Sequence, residues 1–175
     1  MMSTALLIID VQEAMFSYPD MKLYDEAGVL ERISSLLDKA RSAGIPVIYI
    51  QHTEEEGEFV KGTPTWEISS RITPQAGEKV IGKTTPDSFH LTGLQGELER
   101  LGATDLVICG MQTDYCVNAT SRRAHSLGYS SVLVKDAHST FDNNNLTGEE
   151  IVKQHNDALG SGLVTLRSEE EVTFR

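Results

Sequence analysis

The sequence predicts a three-layer α/β/α fold, in which helices cover both faces of a doubly wound parallel sheet. Two observations support this prediction. Strand-like and helix-like segments alternate along the 175 residues, as a parallel sheet with crossover helices requires. The strand-like segments are also continuous apolar runs, such as ALLII over residues 5–9 and LVIC over residues 106–109. Such runs are typical of strands that are buried on both faces.

The individual elements follow from these patterns. Six short runs rich in Val, Ile and Leu are predicted strands, over residues 4–10, 47–50, 79–81, 106–109, 131–134 and 163–166. Four segments with helical spacing of apolar residues are predicted helices, over residues 25–43, 92–101, 114–127 and 147–159. Gly44, Gly102 and Gly128 follow three of these helices, at the position where a left-handed glycine commonly ends a helix.

Composition and charge limit the functional classes. The chain has 15 Lys and Arg against 26 Asp and Glu, a formal net charge of −11, which disfavours nucleic acids and anionic membranes as partners. The N-terminal apolar run has no basic region before it and is interrupted by Asp10, so we expect neither a signal peptide nor a membrane span. Two cysteines give no disulfide framework. We therefore expect one cytoplasmic domain over residues 1–175 that acts on a small molecule.

Polar residues follow several of the predicted strands, where parallel sheets place their sites. Asp10, Lys83 and Cys116 come after the first, third and fourth strands. Cys116 lies where a turn becomes a helix, and free amide hydrogens and a nearby lysine there would lower the pKa of its thiol. Lys83 could supply that lysine and Asp10 a proton acceptor. The alternative is an inert, buried cysteine, which is what we expect of Cys109 within its apolar strand.

Three segments resemble one known group of enzymes. They are ALLIIDVQEAMF over residues 5–16, EKVIGKTTPDSFHLTGL over residues 78–94, and LVICGMQTDYCVNATSRRAHSLGYSSVLVKDAHST over residues 106–140. Together and in this order they resemble the isochorismatase-like cysteine hydrolases, a superfamily that includes nicotinamidases, carbamoyl-amide hydrolases and isochorismatases. The resemblance extends from residue 5 to about residue 158. It implies a Rossmann-like sheet of about six strands in the order 3-2-1-4-5-6.

The resemblance also implies a mechanism. It assigns catalysis to Asp10, Lys83 and a nucleophilic Cys116, and it implies a cis peptide between Met111 and Gln112 that directs a backbone amide toward the oxyanion. The implied activity is hydrolysis of a small amide or carbamoyl C–N bond through a thioester, with no cofactor. Isochorismatase-type vinyl ether hydrolysis and a catalytically degenerate binding domain are the alternatives. Members are usually oligomeric, so we expect a homo-oligomer, either a dimer or a tetramer.

The histidines bear on metal binding. Nicotinamidases of this superfamily carry an Asp-x-His pair after the second strand, whereas this chain has QHT over residues 51–53. A lone histidine makes a poor zinc site, so we predict no bound metal. His52 either lines the pocket or caps the strand end. His138 follows the fifth strand and could pair with Cys116, although we expect it only to line the pocket.

Aromatic residues and one further motif complete the candidates. Phe16 and Trp66 lie in loops beyond the first two strands, and Tyr115 precedes the nucleophile. The resemblance makes all three candidate substrate contacts, with core packing or a subunit contact as the alternative. Residues 77–84, GEKVIGKT, match the phosphate-binding P-loop pattern. Strand-like residues lie inside that pattern, however, so we expect no nucleotide site there.

Overall fold

A computed structural model describes residues 3–175 and confirms the predicted parallel sheet; Met1 and Met2 of the predicted domain lie outside the described residues. The sheet has six strands in the order β3-β2-β1-β4-β5-β6, and every strand pairing is parallel. The strands are β1 (Ser3–Ile9), β2 (Val47–His52), β3 (Lys79–Lys83), β4 (Ala103–Met111), β5 (Ser130–Ser139) and β6 (Thr165–Arg167). Strand β3 runs through the P-loop-like residues, which therefore lack the loop that such a motif requires.

Four helices connect the strands, and they are α1 (Glu26–Ser42), α2 (Leu94–Leu101), α3 (Asn118–Ser126) and α4 (Gly148–Gly160). Helix α3 begins later than predicted, because a π-helical turn (Thr113–Val117) precedes it. Strand β5 extends beyond the predicted residue 134, because the end of β4 continues to pair with it as far as Met111 and Ser139. Among residues 3–175, no helix combines the length and apolar character needed to cross a membrane.

The core consists of two apolar clusters, one on each face of the sheet. Side chains of β1 alternate between them: Leu6 and Ile8 belong to one cluster, and Ala5, Leu7 and Ile9 to the other. Helix α1 packs in the first cluster, whereas α2, α3 and α4 contribute residues to the second. This two-sided burial explains why β1 is an uninterrupted apolar run.

A glycine allows the two central strands to approach each other closely where they end. Gly110 in β4 pairs with Ile9 of β1 and has a φ of +123°. A Cβ atom at this position would lie 2.1 Å from the backbone oxygen of Ile9. Only glycine fits this close contact. The Met111–Gln112 peptide that follows is cis, as the resemblance implied.

The long segment over residues 53–77 is fixed to the sheet by a buried glutamine. Gln12 Nε2 donates to the carbonyl oxygens of His52 and Trp66, at 2.9 and 2.8 Å. Its Oε1 accepts the N–H of His52 at 2.8 Å. The segment also contains two short 3₁₀ helices (Gly57–Phe59 and Ser70–Ile72). Its first part is therefore held beside the carboxyl ends of β1 and β2.

Candidate active site

Three buried side chains meet at the carboxyl end of the sheet. Lys83 Nζ donates to Asp10 Oδ2 at 2.8 Å and to Cys116 Sγ at 3.3 Å. Asp10 follows β1, Lys83 ends β3, and Cys116 lies in the π-helical turn after β4. The fold thus brings together three residues that are far apart in sequence, and they are the three that the resemblance assigns to catalysis.

Lys83 reaches this cluster from the edge strand of the sheet. Its backbone remains paired with His52 of β2, and its carbonyl oxygen accepts the N–H of Thr53 at 2.9 Å. The strand therefore keeps its regular path, and the long side chain itself crosses the end of β2 to reach Asp10. That side chain is completely buried, which places its charge in a medium where ion pairing is strong.

His52 binds the third hydrogen of the Lys83 ammonium. The distance between Lys83 Nζ and His52 Nδ1 is 2.9 Å. Because an ammonium group only donates, Nδ1 must be unprotonated and the ring proton must lie on Nε2. That proton is directed at Glu54 Oε1, 3.0 Å away. The three donors of Lys83 thus have three separate acceptors, and neutral His52 joins Glu54 to the cluster of Asp10, Lys83 and Cys116.

Burial dominates the acidity of Cys116. Its burial raises the pKa of the thiol to about 12, the Asp10 carboxylate acts in the same direction, and Lys83 opposes both. Cys116 is therefore a neutral thiol in the free enzyme. The lowered pKa expected from its position before a helix is wrong, since loss of water around the sulfur outweighs the lysine and the amide hydrogens.

Asp10 places a carboxylate beside this thiol. One carboxylate oxygen, Oδ2, accepts from Lys83. The other, Oδ1, is buried and has no hydrogen-bond partner among residues 3–175. Burying a carboxylate oxygen without a hydrogen-bond donor destabilises the fold, so such an atom often has a catalytic function. The same carboxylate lies against the cavity that contains Cys116.

A cavity of about 360 Å³ opens above this cluster. Asp10, Cys116 and His52 form its base. Its walls are both apolar and polar, and they are formed by Met15, Glu54, Phe59, Thr84, Pro86, Gln112 and Tyr115. The volume is that of a small-molecule site, and the nucleophile candidate is accessible from it.

Comparison with known proteins identifies the family. The model of the isochorismatase domain matches residues 4–155. The chain belongs to the isochorismatase family. A crystal structure of an isochorismatase from Pseudomonas putida has a TM-score of 0.90 and 30% sequence identity, and the match covers 97% of this chain and 89% of that one.

Two relatives of this isochorismatase-family protein have named activities. Streptothricin hydrolase from Streptomyces noursei is 40% identical over 139 residues, which are 79% of this chain and 50% of that protein. Ureidoacrylate amidohydrolase from Rhizobium rhizogenes is 29% identical over 170 residues, covering 77% of this chain and 69% of that protein. The isochorismatase-family chain thus spans half the length of the streptothricin hydrolase.

The structure separates the three aromatic candidates. Tyr115 lines the cavity and is 59% exposed, whereas Phe16 and Trp66 do not line it. Phe16 packs against the core cluster that contains α1, and the neighbouring Met15 reaches the cavity instead. The Trp66 indole N–H donates to Thr53 Oγ1 at 3.0 Å, so this side chain fixes its own loop. Phe16 and Trp66 thus lie outside this cavity, and their contact with a substrate stays a prediction.

Sequence reasoning missed several lining residues, notably Glu54 and Phe59. Both lie in the segment over residues 53–77, which has no periodic pattern that could assign a direction to a side chain. His52, for which pocket lining and strand capping were both open, lines the cavity. Among residues 3–175, no three His, Cys, Asp or Glu side chains are arranged to hold a metal ion. That hydrolysis proceeds without a metal stays a prediction.

His138 lies outside the cavity that contains the Cys116 thiol. It is buried and lines a second cavity, on the side of α4. Asn156 Nδ2 donates to the Lys135 carbonyl oxygen, which leaves its Oδ1 to accept from His138 Nε2 at 2.8 Å. His138 Nδ1 therefore accepts from Thr113 Oγ1, at 2.8 Å. The predictions that His138 could pair with Cys116 and that it lines the pocket of Cys116 are therefore wrong. His138 instead fixes the π-helical turn through its hydrogen bond with Thr113.

Acid is expected to destabilise the protein partly through His138. Burial lowers the pKa of this histidine from 6.5 to about 4, so the unfolded chain takes up a proton at a higher pH than the folded one. The neutral histidine contributes roughly 3 kcal/mol to the free energy of unfolding. This contribution is fully present above pH 6.5 and is lost as the pH falls toward 4. Urea unfolding at pH 7 and pH 4.5 measures this loss.

His138→Gln is expected to lose about 2 kcal/mol less than the wild type between these two pH values, because glutamine does not titrate. His125→Gln, at an exposed position, is the matched control and should follow the wild type. Equal losses for wild type and His138→Gln would contradict the assignment of a buried neutral histidine.

Proposed function

We propose that this isochorismatase-family hydrolase cleaves a small-molecule amide or carbamoyl C–N bond, with Cys116 as the nucleophile and a thioester as the intermediate. The observation that carries the proposal is the contact of Lys83 Nζ with both Asp10 Oδ2 and Cys116 Sγ at the base of a cavity. The name of one relative, ureidoacrylate amidohydrolase, supports amide chemistry over other hydrolyses.

In the first half of the reaction the thiol must lose its proton. The free Oδ1 of Asp10 takes it, and Lys83 stabilises the resulting thiolate, which attacks the amide carbon. The backbone N–H groups of Cys116 and of Gln112 or its neighbour Thr113 hold the oxyanion, a contact worth about 3–4 kcal/mol in other enzymes. Asp10 then gives its proton to the nitrogen, the C–N bond breaks, and ammonia or an amine leaves.

The second half restores the enzyme. Asp10, again a carboxylate, accepts a proton from a water molecule that attacks the thioester carbon. The C–S bond breaks, the product leaves as a carboxylic or carbamic acid, and the proton on Asp10 returns to the sulfur. The same group acts as base and acid in turn, which explains why one carboxylate oxygen stays free of other donors.

A trapping experiment tests the thioester. The enzyme is incubated with a panel of small amides and carbamoyl compounds, and ammonia release is measured with and without hydroxylamine. Hydroxylamine attacks thioesters in competition with water, so we expect part of the product to appear as hydroxamate. Intact-mass analysis of acid-quenched reactions should show the acyl group on Cys116.

Cys109→Ala is the matched control, because Cys109 is the second thiol and is buried in β4 with Sγ 3.7 Å from the Leu7 carbonyl oxygen. This variant should keep the adduct, whereas Cys116→Ala should lose both the adduct and ammonia release. Full ammonia release by Cys116→Ala would refute the covalent scheme and leave amide hydrolysis without a thioester. An enzyme that binds the panel without turnover would indicate a binding domain.

A further inference from the structure

One glutamate of an acidic segment lines the catalytic cavity. Residues 54–58 read EEEGE, and the first of these glutamates, Glu54, lines the cavity. The Glu54 side chain is 50% exposed, so its carboxylate borders both the cavity and solvent. The other three glutamates of the segment are exposed and do not line the cavity.

The charge of Glu54 is not neutralised within the described residues. Its one ion-pair partner there is His52, at 3.0 Å. That histidine is uncharged, since its Nδ1 accepts a hydrogen from Lys83. Glu54 therefore receives a hydrogen bond but no compensating positive charge.

The rest of the cavity does not supply a cation. No lysine or arginine lines it, and the charge of Lys83 beneath it is matched by that of Asp10, 2.8 Å away. Asp10 and Lys83 together contribute no net charge, which leaves the single negative charge of Glu54. A cavity with walls of one sign concentrates ligands of the opposite sign.

Two further features indicate what the cavity binds. Asp10 is 99% buried and lines the cavity. In the proposed reaction its Oδ1 takes the Cys116 proton and passes it to the leaving nitrogen, so the amide end of the substrate lies beside it. Phe59 and Tyr115 also line the wall, and aromatic rings attract cations.

We propose that Glu54 is a specificity residue that selects amides carrying a second, positively charged nitrogen, as an ammonium or guanidinium group. The amide end of the substrate lies at Asp10 and Cys116, and the charged end lies against Glu54 at the mouth. This inference rests on the proposed function, because it assigns the substrate class of the same site.

Straight-chain amides that differ only in end group test it. The series pairs 4-aminobutanamide, 5-aminopentanamide and 6-aminohexanamide with uncharged amides of the same length, and with amides ending in a carboxylate. For at least one length we expect kcat/KM to be roughly three- to fivefold higher for the cationic amide than for the neutral one. The anionic amide should be poorest, and added salt should weaken the preference.

Variants then assign the preference to one side chain. Glu54→Gln keeps an oxygen for the His52 N–H but removes the charge, so the cation-to-neutral ratio of kcat/KM should fall to about one. Glu54→Lys should invert the ratio. Glu55→Gln removes the same charge from the same segment outside the cavity and should keep the wild-type ratio. Damage to the fold would instead lower both rates together and leave the ratio unchanged.

Binding separates this inference from the proposed function. Calorimetry on Cys116→Ala measures the affinity for 6-aminohexanamide and for hexanamide without turnover. Hydrolysis of amides with no charge preference in either assay would overturn the role of Glu54 while the amidase proposal stood. If the protein binds the cationic amide more tightly, Glu54→Gln removes that preference, and no amide is hydrolysed, the role of Glu54 would be supported and the amidase proposal refuted. The same binding preference in Glu54→Gln would also overturn the role of Glu54.

Discussion

Asp10→Asn is expected to lower kcat by on the order of a thousandfold or more and also to destabilise the protein by about 3–5 kcal/mol. The activity falls because the amide side chain cannot take the thiol proton. The stability falls because the Lys83 ammonium, whose side chain is completely buried, loses the carboxylate that offsets its charge. Ammonia release and urea unfolding measure the two effects separately.

The double variant Asp10→Asn with Lys83→Met distinguishes the two effects. Methionine has a similar length and no charge, so removing both members of the pair should recover most of the lost stability. The double variant should nevertheless remain inactive, because neither proton acceptor nor cation is left. Lys83→Met alone should be both inactive and unstable, since it leaves the Asp10 carboxylate buried without its partner.

A surface pair provides the control. Lys153 and Asp157 form an ion pair at 2.9 Å, with side chains 77% and 68% exposed. Asp157→Asn should leave stability and activity unchanged, because exposed pairs contribute little. The prediction fails if Asp10→Asn is as stable as the wild type, or if the double variant is no more stable than the single ones.

The sequence was sufficient for the candidate catalytic cluster because each member ends or follows a recognisable strand. In a parallel sheet those ends share one edge, so Asp10, Lys83 and Cys116 could be placed near each other without coordinates. The acidity of Cys116 could not be predicted in this way. It depends on how completely the folded chain removes water from the sulfur, and a single sequence position does not reveal that.

The loops and the last strand were harder for a related reason. Leu163 and Val164 belong to an apolar run that reads as a strand, yet their N–H groups donate to the Leu159 carbonyl oxygen and close the end of α4. Strand β6 therefore begins only at Thr165. An apolar residue at a helix end and one in a strand look the same in the sequence. Here the carbonyl groups at the end of α4 need hydrogen-bond donors, so Leu163 and Val164 close the helix and do not join the strand.

Gly110→Ala is expected to destabilise the protein by about 4 kcal/mol or more and to remove activity. The added methyl group would lie 2.1 Å from the Ile9 carbonyl oxygen and 2.7 Å from the Ile9 nitrogen. These are backbone atoms of the central strand, so the clash can be relieved only by separating β1 from β4. That separation also moves Asp10, the residue after Ile9, away from the turn that carries Cys116.

Gly128→Ala shows how much of this cost comes from the backbone angle alone. Gly128 also has a positive φ, +91°, but a methyl group there would meet nothing within 4 Å. It should cost only about 1–2 kcal/mol and leave ammonia release intact. Equal destabilisation by the two variants in urea unfolding would show that the strands can move apart at little cost. The spacing of β1 and β4 would then not be what positions Asp10 against Cys116.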